Sequence, residues 1–168
     1  MSRCCWPATS SGAPSAGGLL AFTQALSALR REHPVFRRRR FFRGQPAGDG
    51  HLADIAWLTP SGREMADQDW ATPYARAMTV FLNGEALTEP DPHGERVRDD
   101  SFLIMLSADR EPLEFTVPGP KYGEGWVLLL DTAAEGSVTP DGAADLRPGD
   151  RLLRTGGSVA VLRRTAAS

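Results

Sequence analysis

Four consecutive arginines, Arg37–Arg40, run directly into Phe41 and Phe42. Guanidinium groups in a row suit phosphate oxygens, and adjacent aromatic rings suit stacked bases, so nucleic-acid binding is the first chemistry to weigh. The charge distribution argues against it. Residues 1–50 hold eight Arg and two acids, whereas residues 51–168 hold eleven basic and nineteen acidic side chains. A predominantly acidic chain without an accompanying nucleic-acid-binding motif makes nucleic acid an unlikely partner. The alternative is an arginine run solvated or packed beside acidic surface.

A second chemistry lies in the aromatic residues. Trp57, Trp70 and Trp126, with Tyr74 and Tyr122, supply rings of the kind that stack on the apolar faces of sugars. Trp57 shares a strand face with Ile55, and Trp126 opens an apolar run, so both are expected in the core, the usual place for large rings. Trp70 lies in a polar stretch and is the candidate contact with a glycan or with a domain seam. His33, His51 and His93 stand apart, without ligand spacing, and no metal site is expected. Asp67/Asp69 and Asp99/Asp100 could form an acid–base pair, but close acids in loops more often cap turns. No G-x-S-x-G, phosphate-binding glycine loop or metal-binding histidine motif occurs, so no catalytic residue and no cofactor are expected.

The elements that position these residues divide at about residue 50. Residues 1–18 are small, polar and rich in Gly and Pro, and read as a disordered leader. Leu19, Phe22, Leu26 and Leu29 then recur at helical spacing, with Arg30 and Arg31 in the last turn and Pro34 as a stop. This helix of about 14 residues needs a packing partner, because an isolated helix of that length is marginal in water. Downstream lie short apolar runs separated by turns. They comprise 54–58, 78–82 before Asn83-Gly84, the nearly continuously apolar 101–106, the alternating Leu113-Glu114-Phe115-Thr116-Val117, 126–130, and 159–162. Six or seven strands at this spacing predict a mainly β fold, an antiparallel β-sandwich preceded by one amphipathic helix. The adjacent Cys4 and Cys5 cannot staple distant segments. A reducing, cytoplasmic location is the default reading. No apolar run is long enough to span a membrane.

Four segments together carry a family resemblance: LLAFTQALSALRREHPVFRRRRFFRG, DIAWLTPSGREMADQDW, AMTVFLNGEAL and GERVRDDSFLIMLSADREPLEFTVP. In order and spacing they resemble the C-terminal part of bacterial glycogen debranching enzymes, the isoamylase-type members of the α-amylase family. The resemblance runs from about Leu19 to the end. It implies that 19–44 is the remnant of the last barrel helix with a basic linker, and that 51–168 is the C-terminal β-sandwich domain. It implies hydrolysis of α-1,6 linkages in glycogen by the full-length family, with nucleophile and acid–base residues on barrel strands that have no counterpart here. The expectation is therefore a chain inactive by itself, with α-glucan and a catalytic barrel as candidate partners. A carbohydrate-binding or structural accessory module is the alternative from another class. Two features depart from the family pattern: the leader lacks the Asn-Glu…Ser-Trp…Asp-Trp pattern, and Ser107–Arg110 replaces an Asn-Ala-His-type turn.

Overall fold

The computed structural model describes residues 16–46, 52–72, 76–90, 93–133, 137–138 and 145–165. The first element, α1 (Ala16–Glu32), is built mostly from Ala, Leu, Gln and Arg, all good helix formers. It begins three residues before the expected start, so Ala16–Gly18 of the expected leader are helical, while residues 1–15 lie outside the described set. Its last bond runs from the His33 N–H to the Leu29 carbonyl. Pro34 then opens a short 3₁₀ turn, η1 (Pro34–Arg37), instead of continuing the α-helix. The basic segment thus begins as a helical turn.

Strands β1 (Ile55–Leu58), β2 (Ala77–Leu82), β3 (Phe102–Ser107), β4 (Leu113–Thr116), β5 (Trp126–Asp131), β6 (Ser137–Val138), β7 (Asp145–Leu146), β8 (Arg151–Arg154) and β9 (Ser158–Arg164) follow, with the single turn α2 (Asp67–Trp70) after β1. The main sheet has the order β1-β2-β3-β9-β5-β6, with β7 also pairing with β5, and every pairing is antiparallel. A second, two-stranded sheet pairs β4 with β8. The last strand, β9, sits between β3 and β5 and joins the two halves of the main sheet.

Both faces of the main sheet are covered, which explains why β3 is apolar at consecutive positions rather than alternate ones. Leu103 and Met105 face a core closed by Phe115 of β4 and Leu152 of β8, together with Leu58, Phe81, Tyr122 and Trp126. Phe102, Ile104 and Leu106 face a second core, closed by Val35, Phe36, Phe22 and Leu29. The small second sheet makes one side of a sandwich, and α1 with η1 makes the other. On β5 the alternation slips: Leu129 and Leu130 both join the second core. The register shift between Leu128 and Leu130 accounts for this, since a bulge adds one residue without reversing the faces beyond it.

Asn83-Gly84 does not make a two-residue hairpin. Asn83 caps a 3₁₀ turn (Gly84–Ala86), its side chain accepting from the Glu85 N–H. Glycine is needed at 84 because the chain crosses itself there: a Cβ would lie 2.1 Å from the Asp100 carbonyl oxygen and 2.2 Å from that of Asp99.

Candidate functional site

The arginine run is anchored by acids far along the sequence. Arg38 is turned inward, its guanidinium 3.1 Å from the Asp54 carboxylate, with both side chains buried and Phe42 under the guanidinium at 4.3 Å. Asp54 also accepts from the Arg43 and Gly44 N–H groups. Glu89 accepts from the N–H groups of Arg39 and Arg40 at 2.8 and 2.7 Å. The run is therefore not one continuous phosphate-binding row: Arg37, Arg39 and Arg40 are exposed and Arg38 is committed.

His33, which by sequence stood alone, has a partner 66 residues away. Its Nδ1 lies 2.8 Å from Asp99 Oδ1, while Asp99 Oδ2 accepts from the buried Val35 N–H at 2.9 Å. Residue 33 supplies no side-chain cap to η1, so Asp99 caps that turn from across the fold. The edge of His33 packs on Phe102. Asp99 is thus a capping acid. Asp69 likewise is committed, accepting both guanidinium nitrogens of Arg63 and the Ala66 N–H. Arg63 and Ala66 hold its carboxyl below the usual carboxylate range. His93 is exposed, and His51 lies outside the described residues. Among the described residues no group of three or more His, Cys, Asp or Glu could hold a metal ion, and no helix is long and apolar enough to cross a membrane.

The rings sort differently from expectation. Trp126 is fully buried, as the sequence implied, and Tyr122 is buried beside Phe81. Trp57 is not in the core. It is 40% exposed, on β1, the edge strand of the sheet among the described residues. Its neighbour is Trp70, 51% exposed, with ring centroids 5.6 Å apart at 75°. The chain returns from β1 through the Thr59–Gly62 turn, where the Gly62 N–H bonds the Thr59 carbonyl and Gly62 takes a φ of 78°. The Met65 N–H then bonds the Trp57 carbonyl at 2.9 Å, which sets α2 and Trp70 beside the edge strand. Tyr74 lies outside the described residues. The Trp57–Trp70 pairing was not read from sequence; the Thr-Pro-Ser-Gly turn between them was its signal.

Two further features flank this edge. Glu64 accepts from Lys121 Nζ at 2.8 Å and from the Tyr122 hydroxyl at 2.5 Å. Those two bonds, Lys121 first, hold the Glu64 carboxyl below its usual range. The Tyr122 hydroxyl is pushed well up, chiefly by burial. A cleft of about 450 Å³ opens beside them, lined by Leu52, Ala53, Ala56 and Glu64 among others.

At the opposite edge of the sheet, α1 contacts β6. Its apolar residues divide. Phe22 and Leu29 pack into the second core, whereas Leu19, Leu20 and Leu26 are 57%, 59% and 37% exposed. Among the described residues, the helix therefore has part of its apolar surface covered and part, along the flank of the same face, left exposed.

Comparison with known proteins agrees with this architecture. The family "Isoamylase, C-terminal" matches residues 54–161, from the buried Asp54 into the central strand β9. A "Glycogen operon protein GlgX homolog" of Mycobacterium tuberculosis (strain ATCC 25618 / H37Rv) is 53% identical over 115 residues, covering 68% of this chain and 16% of the relative. An "Isoamylase" of Pseudomonas amyloderamosa is 24% identical over 111 residues, covering 66% of this chain and 12% of that protein. The chain thus spans about a sixth or less of the length of the curated relatives it matches. With the match covering well over half of its residues, the chain belongs to the isoamylase C-terminal domain family.

Proposed function

We propose that this chain is the non-catalytic C-terminal domain of a glycogen debranching enzyme, and that it docks on a catalytic barrel which hydrolyses α-1,6 branch linkages in the cytoplasm. The observation that carries the reading is the division of α1. Phe22 and Leu29 anchor the helix on the sheet, while Leu19 and Leu26, seven residues apart, form an exposed aliphatic stripe along the flank of that face, with Leu20 exposed farther round. Such a stripe marks a protein contact. It fits the last helix of a barrel, held from one side by this domain and from the other by barrel neighbours.

The acids of the domain support a non-catalytic role. Glycoside hydrolysis uses two carboxyl groups flanking the scissile bond, one of them holding a transferable proton. Asp99 and Asp69 instead spend their oxygens on a cap and an ion pair. The test is release of linear chains from glycogen by the purified 168-residue protein, alone and mixed with the separately produced remainder of the mycobacterial relative. None is expected from the chain alone, and faster release from the mixture than from the remainder by itself. Hydrolysis by the chain alone overturns the reading.

A further inference from the structure

The edge of the sheet farthest from β6 and its contact with α1 carries another exposed apolar group, and its chemistry differs. Leu19, Leu20 and Leu26 are aliphatic. Trp57 and Trp70 are rings, and the groups around them are polar: Gln68 and Asp69 are on the same turn as Trp70, and Arg63 and Glu64 precede it. The two patches sit at opposite ends of the strand order, five inter-strand steps apart, or roughly 24 Å at the usual strand spacing. Two rings rimmed by charge make a small apolar area, well short of the extended patch that a stable protein interface needs. They suit a ligand with small apolar faces and many hydroxyls.

The pair is also built rather than incidental. Trp57 is fixed by its ladder with β2, opposite Val80. Trp70 is fixed by a chain of bonds within one short segment. The Met65 N–H bonds the Trp57 carbonyl, the Asp69 carboxylate accepts from the Ala66 N–H, and both guanidinium ends of Arg63 grip that carboxylate. Thr72 closes the turn by donating its hydroxyl to the Gln68 carbonyl. These bonds fix the backbone that carries the two rings, so less order has to be imposed when a ligand arrives. The C–H face of a pyranose meets the electron-rich face of an indole favourably, and the amide of Gln68 and the Arg63–Asp69 pair offer donors and acceptors to its hydroxyls.

We infer that Trp57 and Trp70, rimmed by Arg63, Gln68 and Asp69, form a surface site for the glucosyl residues of an α-glucan chain, distinct from the aliphatic face of α1. The choice of α-glucan rests on the debranching-domain reading above; the presence of a sugar site rests on the two rings and their rim. Such a site holds polymer near the enzyme without taking part in bond cleavage.

The test is electrophoresis of the full chain through native gels with and without glycogen, backed by titration with maltoheptaose followed by tryptophan fluorescence. The expected result is retardation of the wild type by glycogen. Trp57→Ala and Trp70→Ala should each weaken it about tenfold, the worth of one good aromatic contact, and Trp70→Phe should recover part of it. Circular dichroism and thermal melting show that each variant is folded. An unretarded wild type, or retardation equal in wild type and both alanine variants, overturns the site. So does loss of association with the remainder of the mycobacterial relative in these variants while glycogen retardation is unchanged, since that result makes the rings a protein seam. Because the debranching-domain reading is tested separately by chain release in the mixture, it survives or falls independently of these gels.

Discussion

Replacing Asp99 with Ala tests whether the helix and its basic linker are integral to the sheet domain. The carboxylate is buried and accepts from His33 Nδ1, from the Val35 N–H and from the Asp100 N–H. Val35 is 2% exposed, so water cannot readily replace the lost acceptor. An orphaned buried donor costs about 1–3 kcal/mol. Losing the acceptors for Val35 and His33 together should therefore cost roughly 3 kcal/mol after partial relaxation of η1. For a chain of this size each kcal/mol moves the midpoint by about 2–4 °C, which gives a fall of roughly 6–12 °C. Asp99→Asn keeps one acceptor oxygen and should fall between the two. Thermal melting gives the total, and amide exchange at Val35 gives the location: slow in the wild type, fast in Asp99→Ala. A midpoint within about 2 °C of wild type, with Val35 still protected, would refute the assignment of Asp99 as the anchor.

Other substitutions probe independent features. Gly84→Ala places a methyl against the backbone oxygens of Asp99 and Asp100. Neither oxygen can yield as a flexible side chain would, so denaturant unfolding should show a loss of about 3 kcal/mol, the upper end for overpacking. Arg38→Ala leaves the Asp54 carboxylate buried without its guanidinium. The expected cost is about 3 kcal/mol, and Arg38→Lys should recover only part, because an ammonium does not reproduce the fork. Glu64 is held below the ordinary glutamate value of about 4.3 by Lys121 and then Tyr122. Its contribution to stability is therefore complete above that value and is lost as pH falls through the lower folded value. The wild-type advantage over Glu64→Gln in urea should be visible at pH 7 and should vanish in strong acid. An advantage that persists in strong acid would remove the linkage.

Much of the fold was legible because the main sheet is covered on both faces. Nearly uninterrupted apolar runs at 101–106 and 126–130 identified inner strands without any knowledge of order. The position of β9 between β3 and β5 was not legible, since strand order depends on pairings across the whole chain. Trp57 misled for a local reason. Its alternation with Ile55 gave the correct face, but not that β1 ends the sheet, where a ring on that face reaches solvent. The arginine run misled through range: Asp54, Glu89 and Asp99 lie between 10 and 66 residues from the groups they bind in the 33–44 segment. The charge asymmetry between the two halves of the sequence was the trace of these pairings. Among the candidate site residues, Trp70 at a surface was readable from its polar surroundings, whereas its pairing with Trp57 needed the hairpin that brings the chain back along β1.

The division of the apolar residues of α1 into covered and exposed ones is the feature on which the functional account turns. Its most direct test is sedimentation velocity of this chain with the separately produced remainder of the mycobacterial relative, using wild type and Leu26→Glu. The account predicts a one-to-one complex with the wild type. It predicts loss of the complex in Leu26→Glu, whose own melting point stays close to wild type because the residue is already 37% exposed. Absence of a complex with the wild type, or a complex indifferent to a charge at Leu26, would contradict it.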